Sequence, residues 1–164
     1  MKILVITGTQ LQKMSRLNKA LNKSKIVHGR TIYYQSAVDP SLEIDYKWLG
    51  LIEQSKLDFY QNKADILIVH GGTGSLMRAL NLGKRVLAVP RLSSYGEHVN
   101  DHQEDLIKLL SDNKCVISWN ESDIFDEKLA ESLSYDTKPY PFHENKKLLL
   151  EELLIDSKNV IYEV

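Results

Sequence analysis

Residues 2–7 form a short apolar, β-branched run closed by Gly8, the pattern of a buried strand running into a loop. Met14, Leu17, Ala20 and Leu21 then recur at helical spacing behind Ser15, which predicts a helix over about 15–22 with Ser15 as its N-cap. Strand followed by helix opens a βαβ pattern. Ile26-Val27 and residues 31–35 predict one or two further strands around Gly29, residues 42–44 another, and residues 51–63 a helix. The second half is more sharply patterned. Residues 65–70 predict a strand, and a glycine-rich stretch leads into a helix over 76–82 that stops at Gly83. Residues 85–89 predict the next strand, closed by Pro90, and a loop over 91–100 leads to a helix over 101–110 and a strand over 115–119. Strands alternating with helices of this length imply an α/β fold, a parallel sheet with helices on both faces. Beyond this, residues 132–141 predict a loop and 144–155 a final helix. The apolar stripe Leu149, Leu150, Leu153 and Leu154 on that helix packs into the core or docks on another chain.

Composition narrows this picture. With 164 residues, 43% of them hydrophobic and 26% charged, the chain suits one globular domain, 1–164, in which 142–164 is a C-terminal helical extension. Its 21 basic and 22 acidic side chains lack the excess of positive charge that a nucleic-acid partner would favour. The single Cys115 cannot form an internal disulfide, and its apolar strand setting suggests packing rather than nucleophilic chemistry. Nothing near Met1 resembles a cleavable signal, and no apolar run is long enough to cross a bilayer, so a cytoplasmic location is expected.

Candidate chemistry concentrates in two loops. In His70, Gly71, Gly72, Thr73, Gly74 and Ser75, three glycines let the backbone bend sharply and approach a ligand, while the following helix N-terminus offers N–H donors and partial positive charge. That combination suits a diphosphate. A tight turn without a ligand is the competing reading. The stretch lacks the lysine of a P-loop and fits a dinucleotide-binding glycine motif poorly. The second loop carries Arg91, Glu97, His98, Asn100, Asp101 and Gln103 after the next strand. Loops at the carboxyl ends of parallel strands line a shared crevice, so the two loops should face one site. There Asn100, Asp101 and Gln103 could read sugar hydroxyls, with Glu97 and His98 as candidate catalytic groups; alternatively Asn100 or Asp101 only caps the helix. Gly8 and Thr9 in the first loop could bind a phosphate or the sugar, although an ordinary turn explains them as well. His98 and His102 straddle a loop-to-helix junction without a third ligand motif, so no metal site is expected. No nucleophile elbow surrounds Ser75.

At these positions the chain resembles the small bacterial exopolysaccharide and capsule glycosyltransferase subunits akin to the catalytic subunit of the eukaryotic dolichol-pathway GlcNAc transferase. More distantly, it resembles the donor-binding half of the peptidoglycan lipid-intermediate GlcNAc transferase. The matching residues are Val5-Ile6-Thr7-Gly8-Thr9 with Arg16-Leu17, residues 64–75, Ala79 to Lys84, and Val89-Pro90-Arg91 leading to Tyr95 through Gln103.

The resemblance implies a Rossmann-like half of a GT-B fold that binds a UDP-sugar. A membrane-associated partner subunit would carry the acceptor-binding half, the acceptor would be lipid-diphosphate-linked, and the complex would lie at the inner face of the membrane. A complete GT-B enzyme needs two such domains, so this chain is expected to be half an active site. By position, residues 71–75 would hold the diphosphate, Asn100, Asp101 and Gln103 would contact the donor sugar, and Glu97 and His98 would sit at the cleft. Transfer would invert the anomeric centre without metal or other cofactor, and the base could lie on the partner. Arg78 stands where the two-domain relative has an acidic residue that holds the ribose, and Gln12 alone matches the relatives' first-loop pattern. A noncatalytic nucleotide-sugar-binding subunit, or an unrelated Rossmann-like enzyme acting on a phosphorylated small molecule, remains the alternative.

Overall fold

The structure, a computed structural model, describes residues 1–136. Six parallel strands form one sheet: β1 (Lys2–Ile6), β2 (Thr31–Gln35), β3 (Lys47–Trp48), β4 (Ile66–His70), β5 (Val86–Val89) and β6 (Ile117–Ser118). Their spatial order is β3-β2-β1-β4-β5-β6, the doubly wound Rossmann arrangement in which winding reverses between β1 and β4. The helices are α1 (Ser15–Lys23), α2 (Gln54–Lys63), α3 (Thr73–Asn81), α4 (His102–Asp112) and α5 (Phe125–Ser134).

The strand pattern explains the layers. Alternate side chains of a strand point to opposite faces. Ile3, Val5, Ile66, Ile68, Leu87 and Val89 pack on one side with Met14, Leu17 and Leu21 of the α1 region and Phe125 and Leu129 of α5. Leu4, Ile6, Leu67, Val69, Val86 and Ala88 pack on the other with Leu76 and Ala79 of α3 and Leu106, Ile107 and Leu110 of α4. Both faces of β1, β4 and β5 are therefore covered, which is why these strands read as continuous apolar runs.

Several local expectations shift. Met14, not Ser15, holds the N-cap position of α1, and Ser15 is its first helical residue. Ile26 and Val27 lie in a turn after α1, where the Val27 N–H donates to the Ser24 hydroxyl and the Val27 side chain is buried. The third strand is at Lys47–Trp48 rather than 42–44, and α2 begins at Gln54. The helix α3 begins at Thr73, so Gly74 and Ser75 belong to its first turn. The last strand is confined to Ile117–Ser118, and Cys115 is buried just before it; burial pushes its thiol pKa up. The helix α5 was not expected, and Ser132 to Ser134, assigned to a loop, form its last turn. The predicted helix over 144–155, its leucine stripe and the extension 142–164 lie outside the described residues. Among the described residues no helix is long and apolar enough to cross a membrane.

Candidate functional site

The reversal between β1 and β4 places three loops at one end of the sheet. They are residues 7–14 after β1, residues 71–72 after β4, and residues 90–101 after β5. In an open α/β sheet the ligand crevice lies at the carboxyl ends of the strands at this point. The structure therefore gathers the candidate residues of all three loops.

The backbone packing there is close. Gly8 adopts φ +80°, a left-handed conformation suited to glycine, and a Cβ at this position would lie 2.7 Å from His70 Nε2. A Cβ at Gly72 would lie 2.3 Å from the same nitrogen, and one at Gly71 would lie 2.4 Å from Gln103 Cβ. The glycines thus let β4 turn directly into α3. Gly72 holds the N-cap position without a side-chain cap, and the Leu76 N–H makes its helical bond to the Gly72 carbonyl. The start of a helix leaves N–H groups without intrahelical acceptors and carries partial positive charge. Gly74 has open space where its Cβ would be.

His70 closes β4 and is buried. Its Nδ1 lies 3.2 Å from the Ile6 carbonyl on β1. A carbonyl only accepts, so Nδ1 carries the proton and Nε2 presents its lone pair toward Gly8 and Gly72. Burial above all, with the neighbouring Arg91 charge, lowers the pKa of His70 to about 4, so the ring is neutral near pH 7.

Arg91 and Glu97 are placed differently from expectation. Arg91, expected to meet the donor, is 1% exposed, and its guanidinium donates to the carbonyls of Thr7 at 2.7 Å, Gln12 at 2.8 Å and Glu97 at 2.9 Å. It ties the first loop to the third. Its own N–H donates to Gln103 Oε1 at 3.0 Å, which also takes up the oxygen expected to read a sugar hydroxyl. Glu97, a candidate catalytic group, is equally buried. Its Oε2 pairs with Arg16 Nε at 3.1 Å and accepts the Leu92 N–H at 3.3 Å. Arg16 also donates to the Pro90 carbonyl and lies over the rings of Tyr95 and Trp119. Arg16 thus holds the Glu97 carboxylate, and Arg91 the Glu97 backbone carbonyl, in the base of the site.

The remaining candidates lie at the rim. Thr9 is exposed in the first loop. Asp101 stands at the N-cap of α4 but makes no side-chain cap. Its carboxylate accepts the N–H and hydroxyl of Ser93 at 2.7 and 2.9 Å, bonds that hold its pKa below the usual range. It braces the loop internally. His98 Nδ1 accepts the Asn100 N–H at 3.3 Å, and Asn100 Oδ1 is buried without a hydrogen-bond partner among the described residues. Arg78, on the exposed side of α3, pairs with Asp58 of α2 at 3.0 Å. Among the described residues no three His, Cys, Asp or Glu side chains converge as a metal site would require.

Arg16 carries a role that the residue pattern did not assign. The available signal was its place beside Leu17 and near Leu21 on the buried face of α1, where a cation needs a partner.

These features define a Rossmann-like domain of GT-B type, with a glycine turn and a helix N-terminus at its switch point. Residues 2–154 match the glycosyltransferase family 28 C-terminal domain, and the chain belongs to that family. It is similar to the solution structure of ALG13, with a TM-score of 0.56 and 17% identity over 92% of this chain and 96% of that one. It is also similar to MurG from Acinetobacter baumannii, with a TM-score of 0.52 and 20% identity over 80% of this chain and 40% of that one. The glycosyltransferase SnogD from Streptomyces nogalater gives a TM-score of 0.51 at 19% identity, over 81% of this chain and 33% of that one. The chain thus spans well under half the length of the latter two. It matches no curated protein.

Proposed function

We propose that this domain binds the UDP-sugar of a hexosyl transfer to a lipid-diphosphate-linked acceptor in surface polysaccharide assembly. A membrane-associated subunit supplies the acceptor-binding half, and the complex works at the cytoplasmic face of the membrane. The supporting observation is the convergence of the Gly71-Gly72 turn, the N-terminus of α3 and the Arg91-braced loops at the β1/β4 reversal.

In this reading the donor diphosphate lies on the N–H groups of residues 71–75, with Gly8 and Thr9 facing it from the first loop. Negative charge grows on the diphosphate as the glycosidic bond breaks, and preorganised N–H donors stabilise it where it develops. Arg91 adds positive charge from below without leaving its carbonyl partners. No resident metal or other cofactor is needed to offset that charge, and transfer proceeds with inversion. Asn100 and the Gln103 amide nitrogen face the sugar. His98 stands at the rim where an acceptor hydroxyl would approach, and Glu97 orders the loop that carries these groups. The acceptor's base comes from the partner half, a placement favoured by the capture of the Glu97 carboxylate in its ion pair. The same capture favours, as a second reading, a noncatalytic nucleotide-sugar-binding subunit.

Calorimetry with UDP, with and without EDTA, tests the donor site: saturable binding unchanged by EDTA is expected and abolished by Gly72→Asp. Absence of UDP binding at millimolar concentration rejects the reading. Co-expression with the membrane subunit and an assay of UDP-sugar consumption on a prenyl-diphosphate sugar separates the enzyme from the noncatalytic subunit.

A further inference from the structure

The tautomer of His70 conflicts with the ligand assigned to its loop. Nδ1–H donates to the Ile6 carbonyl across the β1–β4 pair, so a neutral ring turns a lone pair toward the Gly8 and Gly72 backbones that pack against Nε2. A phosphate oxygen also offers only lone pairs, and two acceptors in contact repel. Exchanging tautomers would leave the buried Ile6 carbonyl facing another lone pair, an unfavourable, unsatisfied contact.

The charges facing the ring explain how the conflict resolves. The charged and titratable groups acting on the ring are Arg91 and His98, both in the loop after β5; β1 offers the Ile6 carbonyl, and the first turn of α3 carries no acidic residue. An empty site therefore holds the ring neutral, and an anion is the missing opposite charge. Resting on the donor-site reading, we propose that His70 takes up a proton from solvent at Nε2 when a diphosphate enters between the Gly8 and Gly72 loops, and binds it as an imidazolium. Donor binding and proton binding are then linked, and each strengthens the other equally.

The test is side-chain NMR of the full chain labelled with [15N]histidine, at pH 7.5, free and saturated with UDP. The expected result is a His70 Nε2 resonance that moves from the unprotonated to the protonated range on binding, while Nδ1 stays protonated. Calorimetry in buffers of different ionisation enthalpy should show proton uptake that His70→Asn lacks. Between pH 8 and pH 6 the wild-type affinity, relative to that variant, should rise by up to about tenfold per pH unit. Saturable UDP binding with Nε2 still unprotonated overturns the inference and leaves the donor site standing; that result would mean the neutral ring accepts from a ligand hydroxyl. Absence of UDP binding overturns both.

Discussion

Arg16 Nε and Glu97 Oε2 lie 3.1 Å apart in a buried ion pair joining positions 81 residues apart, and this pair fastens α1 to the loop that carries the site. Removing one member of a buried pair strands the other charge, which costs about 3–5 kcal/mol. Arg16→Met and Glu97→Gln should each destabilise the domain by that order. The double variant should lose less than the sum, because neither charge remains. Urea denaturation of the four proteins measures the coupling. A Glu97→Gln protein of wild-type stability would show that the carboxylate is available for chemistry after all.

Arg91 makes a second connection, and its geometry is specific to a guanidinium. Three carbonyls from two loops converge on one planar fork, which the point charge of lysine cannot satisfy together. Arg91→Ala should destabilise by about 3 kcal/mol, given three carbonyls left without their donor. Millimolar guanidinium should restore UDP affinity to Arg91→Ala, whereas Arg91→Lys should stay impaired. Equal affinity for UDP in all three proteins would separate the staple from donor binding.

The glycines of the turn should behave differently from one another. A methyl at Gly72 would collide with His70 Nε2 and one at Gly71 with Gln103 Cβ, so Gly72→Ala and Gly71→Ala should lose UDP binding and stability together. Gly74 sits inside α3 with open space at its Cβ, and Gly74→Ala should stabilise the apo domain by about 0.5–1 kcal/mol. If Gly74→Ala melts higher yet binds UDP poorly, the methyl occupies space the diphosphate uses. Wild-type UDP affinity in Gly72→Ala would place the ligand elsewhere.

These residues show why the sequence revealed the crevice more readily than its wiring. The strands β1, β4 and β5 are apolar on both faces, and glycine or proline closes each of them, so their order and the loops after them could be read directly. The two-residue β3 is exposed and has no burial pattern to betray it. In α5, Phe125, Leu129 and Ser132 do lie at helical spacing, but the buried serine, which donates to the Lys128 carbonyl, interrupts the apolar stripe. The helix α3 starts three residues early because packing of Leu76, Ala79 and Leu80 outweighs the poor helical propensity of Gly74. Residue identity placed Glu97, Arg91 and Asp101 in the site. Only tertiary structure shows that Glu97 Oε2 is taken by Arg16, the terminal nitrogens of Arg91 by backbone carbonyls and the Asp101 carboxylate by Ser93.

The buried neutral His70 should also leave a signature in stability. Its pKa is about 4 in the folded domain and near 6.5 in the unfolded chain, so the unfolded state binds the proton first as pH falls. Stability should therefore be complete above pH 7 and decline between pH 6.5 and pH 4, by on the order of 3 kcal/mol from this group. His70→Asn keeps an N–H donor for the Ile6 carbonyl and removes the titration, so the difference between the two proteins isolates the effect from carboxylates that titrate lower. Saturating UDP should flatten the wild-type decline, because the imidazolium then gains an anionic partner in the folded state. Melting temperatures across this pH range, with and without UDP, provide the measurement. A decline that persists unchanged in His70→Asn would assign it to other groups, and a decline unaffected by bound UDP would mean that the ligand does not reach the ring.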